Sequence, residues 1–154
     1  MKNNCILIFL FFIFSASLWA QEINWLSLSE AEEIQKENPE KPYFIDFYTT
    51  WCGWCKKMDQ STFKEEEVVK YITENYIPVK FNAETKEDVS FKGKIYKYVK
   101  ASNGRGIHSF AYFSLKGRLS YPSYAVITGD GETERLLLGY MPKETLLQGL
   151  TATE

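Results

Sequence analysis

The chain has 154 residues, of which 45% are hydrophobic and 25% charged, and its formal net charge is −2 at neutral pH. This length predicts one domain that can bury a single core. The mildly acidic balance gives no indication of binding to nucleic acid or to an anionic membrane surface.

The first predicted element is a continuous apolar run over residues 6–14, with a lysine before it and small residues after it. This pattern is typical of a secretory signal peptide, and the run is shorter than the roughly 20 residues that a membrane-spanning helix needs. We expect cleavage after Ala20, which removes residues 1–20 together with Cys5. Residues 21–154 would then form a periplasmic or secreted domain. An uncleaved N-terminal anchor is the alternative interpretation.

Helical and strand patterns alternate through the first half of the domain. The spacing of apolar residues predicts helices over 29–38 and 63–76, and a third helix that begins just after Cys52. Short apolar and aromatic runs predict buried strands over 43–48 and 77–81. One acid, Asp46, lies in the middle of the first of these strands.

The second half of the domain continues with further helices and a hairpin. The predicted elements are a helix over 88–99, a loop over 101–106, a short helix over 107–115, paired strands over 123–128 and 132–138, and a last helix over 142–150. Alternation of strands and helices predicts an α/β fold with a parallel sheet, to which the hairpin adds an antiparallel edge. We therefore expect a central mixed sheet of about four strands flanked by helices.

The strongest chemical signal is Cys52 and Cys55, separated by Gly53 and Trp54 at a strand-to-helix junction. A thiol at the start of a helix meets unpaired N–H groups and the positive end of the helix dipole, which favour the thiolate. Cys52 is therefore the predicted nucleophile toward a disulfide. Cys55, about one helical turn further, would resolve the mixed disulfide that results.

Other interpretations of this cysteine pair explain the sequence less well. A structural zinc site needs four ligands, and the mature chain would offer two cysteines and one histidine, His108. A haem attachment site needs histidine after the second cysteine, where this chain has Lys56. A disulfide that closes so small a loop stabilises a fold little. A cysteine hydrolase would need a base such as His108 beside the nucleophile, and this histidine is more simply a capping or surface residue.

The segment over residues 44–56 resembles the active-site segment of thioredoxin. Further features match the same family: Asp46 six residues before Cys52, Lys80 in the second core strand, Tyr121-Pro122 before a later strand, Gly139 after the hairpin, and Asn82-Ala83-Glu84 after the second core strand. The resemblance covers most of residues 23–152. It is closest to exported bacterial thioredoxin-like proteins.

This resemblance implies a thioredoxin-like three-layer sandwich, with an insertion over roughly 102–119 before a cis-proline loop. It implies that Cys52 and Cys55 form a redox-active disulfide, that Asp46 and Lys80 assist catalysis, and that no cofactor or metal takes part. The residues expected to contact substrate are Trp51, Gly53, Trp54, Tyr121 and Pro122. Asp46 could serve as a base, as a simple ion-pair partner of Lys80, or as both. The insertion could shape a substrate groove, although a packed elaboration is the favoured interpretation.

The leading functional hypothesis is an exported monomeric reductase of protein disulfides. Its expected partners are exported proteins with thiols or disulfides and a membrane thiol–disulfide electron donor or acceptor, without nucleic acid. A disulfide oxidase or isomerase uses the same chemistry, because thioredoxin-like proteins span a wide range of reduction potentials. A peptide-binding module without catalysis is the alternative from a different class. The direction of electron flow therefore stays open at this point.

Overall fold

A computed structural model describes residues 22–100, 104 and 106–152. Its centre is a four-stranded sheet made of β1 (Tyr43–Tyr48), β2 (Ile77–Asn82), β7 (Ser123–Ile127) and β8 (Thr133–Leu138). The strand order is β2-β1-β7-β8, in which β1 and β2 are parallel and the other two pairs are antiparallel. The expected mixed sheet of about four strands is confirmed. The predicted signal peptide over 1–20 lies outside the described residues.

Helices cover both faces of this sheet and complete three layers. They are α1 (Leu28–Glu37), α2 (Gly53–Gln60), α3 (Glu66–Asn75), α4 (Ser109–Ser114) and α5 (Lys143–Thr151). Apolar side chains of α1 and α4 form a core on one face of the sheet, and those of α2, α3 and α5 form a second core on the other. β1 serves both cores because successive side chains alternate between faces: Ile45 and Phe47 enter the first, and Phe44 enters the second.

Two helix boundaries differ from the sequence prediction. The cap of α1 is Ser27, whose Oγ accepts the backbone N–H of Glu30 while the Glu30 carboxylate accepts the backbone N–H of Ser27. This reciprocal capping box, rather than Ser29, sets the start of the helix. The predicted helix over 63–76 begins later than expected, because Phe63 lies in a short 3₁₀ turn over Thr62–Lys64 that precedes α3.

The predicted helix over 88–99 is wrong. This segment contains the hairpin of β3 (Val89–Phe91) and β4 (Lys94–Tyr96), followed by β5 (Tyr98–Lys100), which pairs with β6 (Gly106–His108). Lys92 and Gly93, with φ values of 50° and 72°, make the tight turn between β3 and β4. The elaboration of the fold thus starts at Val89, earlier than the insertion expected over 102–119.

His108 connects this elaboration to the main sheet. It is fully buried, and its Nδ1 accepts the backbone N–H of Phe110, which caps α4. Its backbone N–H donates to the carbonyl of Ala83, just beyond β2. Burial lowers the pKa of His108, which favours the neutral ring that this cap requires. His108 is therefore a buried capping residue that lies away from the cysteine pair in sequence and in packing.

Candidate active site

The cysteine pair lies where the chain leaves the end of β1 and enters α2. Cys52 is the N-cap of α2, and its Sγ accepts the backbone N–H of Cys55 at 3.0 Å. A sulfur in this position interacts with a helix N–H group and with the positive end of the helix dipole, both of which stabilise a thiolate. The predicted strand-to-helix placement of the pair is confirmed.

Cys52 and Cys55 form a disulfide, with a Cα–Cα distance of 5.3 Å. Both cysteines are buried, whereas the tryptophans next to them are not: Trp51 is 66% exposed and Trp54 is 61% exposed. A Cβ added at Gly53 would meet no heavy atom within 4 Å. The disulfide is therefore surrounded by two large apolar side chains and an open space above Gly53, which a polypeptide segment could approach.

Asp46 lies on the face of the sheet that α2 covers. It is paired across strands with Tyr124, which packs with Phe44 and with Met58 of α2 in the second core. Burial raises the pKa of Asp46 to about 6, although Lys80 opposes this effect. Within residues 22–100, 104 and 106–152, no group hydrogen-bonds to Asp46 Oδ1. This carboxylate oxygen is therefore available to exchange a proton.

Lys80 holds the other oxygen of this carboxylate. Its Nζ lies 3.2 Å from Asp46 Oδ2 and also forms an ion pair with Asp59 of α2. The same ammonium group lies 5.2 Å from the ring centroid of Trp25 and 5.5 Å from that of Tyr48. Burial lowers the pKa of Lys80, but the two carboxylates outweigh burial and leave the pKa raised. Lys80 therefore stays charged and links the buried Asp46 to the more exposed Asp59.

Tyr121, which precedes Pro122, contacts Trp51, the residue before Cys52. The Tyr121–Pro122 peptide bond is cis, and the carbonyl of Pro122 accepts the backbone N–H of Gly139 at 2.8 Å. The ring of Tyr121 meets the ring of Trp51 edge to face, with centroids 6.3 Å apart. Trp51, Gly53 and Trp54 thus adjoin the disulfide along the chain, and Tyr121 joins them through Trp51. Contact of these residues and of Pro122 with substrate stays a prediction.

Sequence reasoning assigned no role to several residues that complete this site. Glu84 accepts the indole N–H of Trp51 at 3.0 Å, and Tyr140 packs on Trp54 with ring centroids 5.3 Å apart. Asp59 could have been found from its spacing, because it lies four residues after Cys55 and so on the same face of α2. Glu84 was identified only as part of Asn82-Ala83-Glu84, without a role, and no local pattern identifies Tyr140, since the contacts of both come from distant parts of the chain. Among the described residues, no group of three or more His, Cys, Asp or Glu side chains could hold a metal ion.

The sequence model of the Thioredoxin-like domain family matches residues 28–154. Among curated proteins, the chain is similar to the thiol:disulfide interchange protein DsbD of Neisseria meningitidis, with 26% identity over 114 residues, which is 73% of this chain and 16% of that protein. It is also similar to human spermatogenesis-associated protein 20, with 32% identity over 49% of this chain and 9% of that protein. The chain spans only about a tenth to a fifth of the length of such curated relatives.

Solved structures agree with the fold. A Bacteroides thetaiotaomicron protein whose structure was determined in solution superimposes with a TM-score of 0.60 and 26% identity, covering 88% of this chain and 98% of that one. Thioredoxin F from spinach chloroplast superimposes with a TM-score of 0.50 and 17% identity, covering 84% and 90% of the two chains. The expected thioredoxin-like architecture is confirmed.

Proposed function

Because the chain belongs to the thioredoxin-like domain family, we propose that it is an exported thiol–disulfide oxidoreductase that reduces protein disulfides through Cys52 and Cys55. One observation carries the exchange chemistry of this proposal: Cys52 Sγ caps α2 and accepts the backbone N–H of Cys55. That position stabilises the thiolate that attacks a disulfide.

In the first step, the Cys52 thiolate of the reduced protein attacks one sulfur of a substrate disulfide. A bond forms between Cys52 Sγ and that sulfur, the substrate S–S bond breaks, and the other substrate sulfur leaves as a thiolate that takes up a proton. The exposed rings of Trp51 and Trp54 and the backbone of Tyr121 would hold the substrate segment in place.

In the second step, Cys55 resolves the mixed disulfide. Asp46 Oδ1 accepts the Cys55 proton, and the Cys55 thiolate attacks Cys52 Sγ. The substrate sulfur leaves with the electron pair of the broken bond and is then protonated. The substrate gains two electrons and two protons, and the Cys52–Cys55 disulfide is the oxidised product. Lys80 is a positioning residue here, since it fixes Asp46 Oδ2 and leaves Oδ1 free.

Export and partners belong to the same proposal. The apolar run over 6–14 supports a signal peptide and a periplasmic or secreted location. No helix of residues 22–100 or 106–152 has the length and apolarity that crossing a bilayer requires. The similarity to DsbD over 73% of the chain supports a membrane thiol–disulfide partner that returns electrons to the pair. The proposed substrates are exported proteins with disulfides. We propose that the protein acts on them as a monomer, without nucleic acid and without a cofactor.

A measured reduction potential decides between a reductase and an oxidase or isomerase. Thioredoxin has a potential of about −270 mV, protein disulfide isomerase about −180 mV, and the oxidase DsbA about −120 mV. A value near that of thioredoxin is expected for the Cys52–Cys55 pair. A value near that of DsbA would contradict the reductase proposal while leaving the exchange chemistry intact.

The roles of the two cysteines are tested by trapping. Cys55→Ser should accumulate mixed disulfides through Cys52, because the resolving thiol is absent. Adducts are detected by mass spectrometry after acid quenching. Cys52→Ser should trap far fewer partners, and the double serine variant is the matched control for binding without exchange. Accumulation only in Cys52→Ser would reverse the two roles. Partners retained by the double variant, with no turnover by the native protein, would favour a peptide-binding module.

A further inference from the structure

The charge of this protein is distributed very unevenly along the chain. Residues 89–129 contain seven Lys or Arg and no Asp or Glu, whereas the rest of the chain holds all 20 acidic residues and eleven basic ones. The overall net charge of −2 hides this local excess of positive charge. Within this stretch, the β3–β4 and β5–β6 hairpins and α4 take no part in the proposed redox chemistry.

Two of these basic residues are occupied by contacts within the protein. Lys97 forms an ion pair with Asp88, and Lys92 donates to the side chain of Gln35. Lys94 and Lys116 differ, because no carboxylate in the described part of the chain lies within ion-pair distance of either. Both are exposed and are free to meet an anionic partner.

These two lysines share one surface with exposed apolar side chains. A cleft of about 330 Å³ between β4 and α4 is lined by Lys94, Tyr96, Phe113 and Lys116. Phe113 is 64% exposed. A large apolar side chain at such exposure next to unpaired cations is typical of interaction surfaces. We refer to Lys94, Tyr96, Phe113 and Lys116 as the basic apolar face.

The basic apolar face lies mainly beside the end of the sheet at which β1 begins. Of the residues that line its cleft, Phe110 packs on Phe47 near the other end of β1. Phe91, however, packs on Tyr43, the first residue of β1, and Thr133 pairs with Ile127, which is opposite Tyr43. Cys52 follows the opposite end of β1, roughly 16 Å further at about 3.3 Å per residue. A partner on this face would therefore leave the disulfide accessible.

We propose that the basic apolar face docks the protein on an anionic lipid surface, with the disulfide directed away from the membrane. Segments that lie in the interfacial region of a bilayer combine lysines with aromatic and aliphatic side chains, and anionic headgroups attract such lysines. The exposed ring of Phe113 and the two lysines line the same cleft, so they can enter the headgroup region together. Glu132 also lines this cleft, and the two lysines outnumber it. This inference does not depend on the proposed redox activity.

Vesicle binding of the full chain tests this inference. The probe is sedimentation with vesicles of equal parts phosphatidylglycerol and phosphatidylcholine, compared with pure phosphatidylcholine vesicles. Lys94→Glu combined with Lys116→Glu should lower the partition coefficient on anionic vesicles at least roughly tenfold. Lys70→Glu combined with Lys86→Glu, which makes the same change in net charge on other exposed lysines, is the matched control and should retain most of the binding.

The apolar contribution is tested separately. Phe113→Ser should weaken binding to anionic vesicles, whereas Ile34→Ser, at an exposed apolar residue of α1, should not. Far-ultraviolet circular dichroism checks that all variants are folded. Equal binding to both kinds of vesicle, or equal loss in both charge-reversal pairs, would overturn the proposal. Competition by poly-glutamate without any vesicle binding would also overturn it, because the partner would then be an acidic polypeptide.

Discussion

Asp46 is the buried acid whose replacement by asparagine has a calculable effect on stability. Its pKa rises from an ordinary 3.8 to about 6 because burial disfavours the carboxylate. The native state therefore binds this proton more tightly than the unfolded state does. Stability is highest when Asp46 is protonated in both states, and it falls as the pH rises from about 4 through 6. This difference in pKa corresponds to about 3 kcal/mol.

Asp46→Asn removes the charge at every pH and nearly preserves the shape of the side chain. At pH 7 we expect this variant to be about 3 kcal/mol more stable than the native protein, and the advantage should shrink toward pH 4. Urea unfolding from pH 4 to 8, with the disulfide intact in both proteins, measures the difference. Asp59→Asn is the control, because Asp59 is partly exposed and its removal should give no comparable gain. Parallel pH curves for Asp46→Asn and the native protein would refute the burial argument.

The same variant tests the proposed role of Asp46 as a base. Loss of a positioned base typically costs about 10²-fold or more in the rate of the proton-transfer step. We therefore expect slower steady-state reduction of insulin by Asp46→Asn and accumulation of the mixed disulfide through Cys52. A more stable variant with unchanged insulin reduction would leave the burial argument intact and exclude the catalytic role.

Two further predictions concern the neighbours of this acid and of the disulfide. Lys80→Met removes the cation that lowers the pKa of Asp46, so the acidic limb of the pH–rate profile should move to higher pH. Asp59→Asn removes a negative charge that raises the pKa of Asp46, so the same limb should move to lower pH. Shifts of both variants in the same direction would contradict the assigned network. Glu84→Gln weakens a charged hydrogen bond to Trp51, so KM for insulin should rise a few-fold at nearly constant kcat, and an equal fall in kcat would contradict a role in substrate positioning.

Local sequence was sufficient to predict the chemistry of the pair. Cys52 and Cys55 could be placed at a strand-to-helix junction because a short apolar run before them and a helical pattern after them are both local signals. The same is true of the acid in the strand: Asp46 is surrounded along the chain by apolar neighbours, which predicts burial and a raised pKa. The alternation of strands with helices along the chain, followed by a hairpin, also indicated the mixed sheet.

Tertiary structure alone decided what surrounds these residues. Lys80 contacts Asp59 across 21 positions, and Trp51 contacts Glu84 across 33; such pairs depend on how elements pack, and no sequence period encodes them. The prediction of a helix over 88–99 was wrong for a related reason. A strand of three residues is too short for its alternation of apolar and polar side chains to be distinguished from the apolar face of a helix. The local sequence thus determines the position of the cysteine pair at the start of a helix. The buried acid, the ion-pair network and the exposed tryptophans acquire their geometry only when the strands and helices pack together.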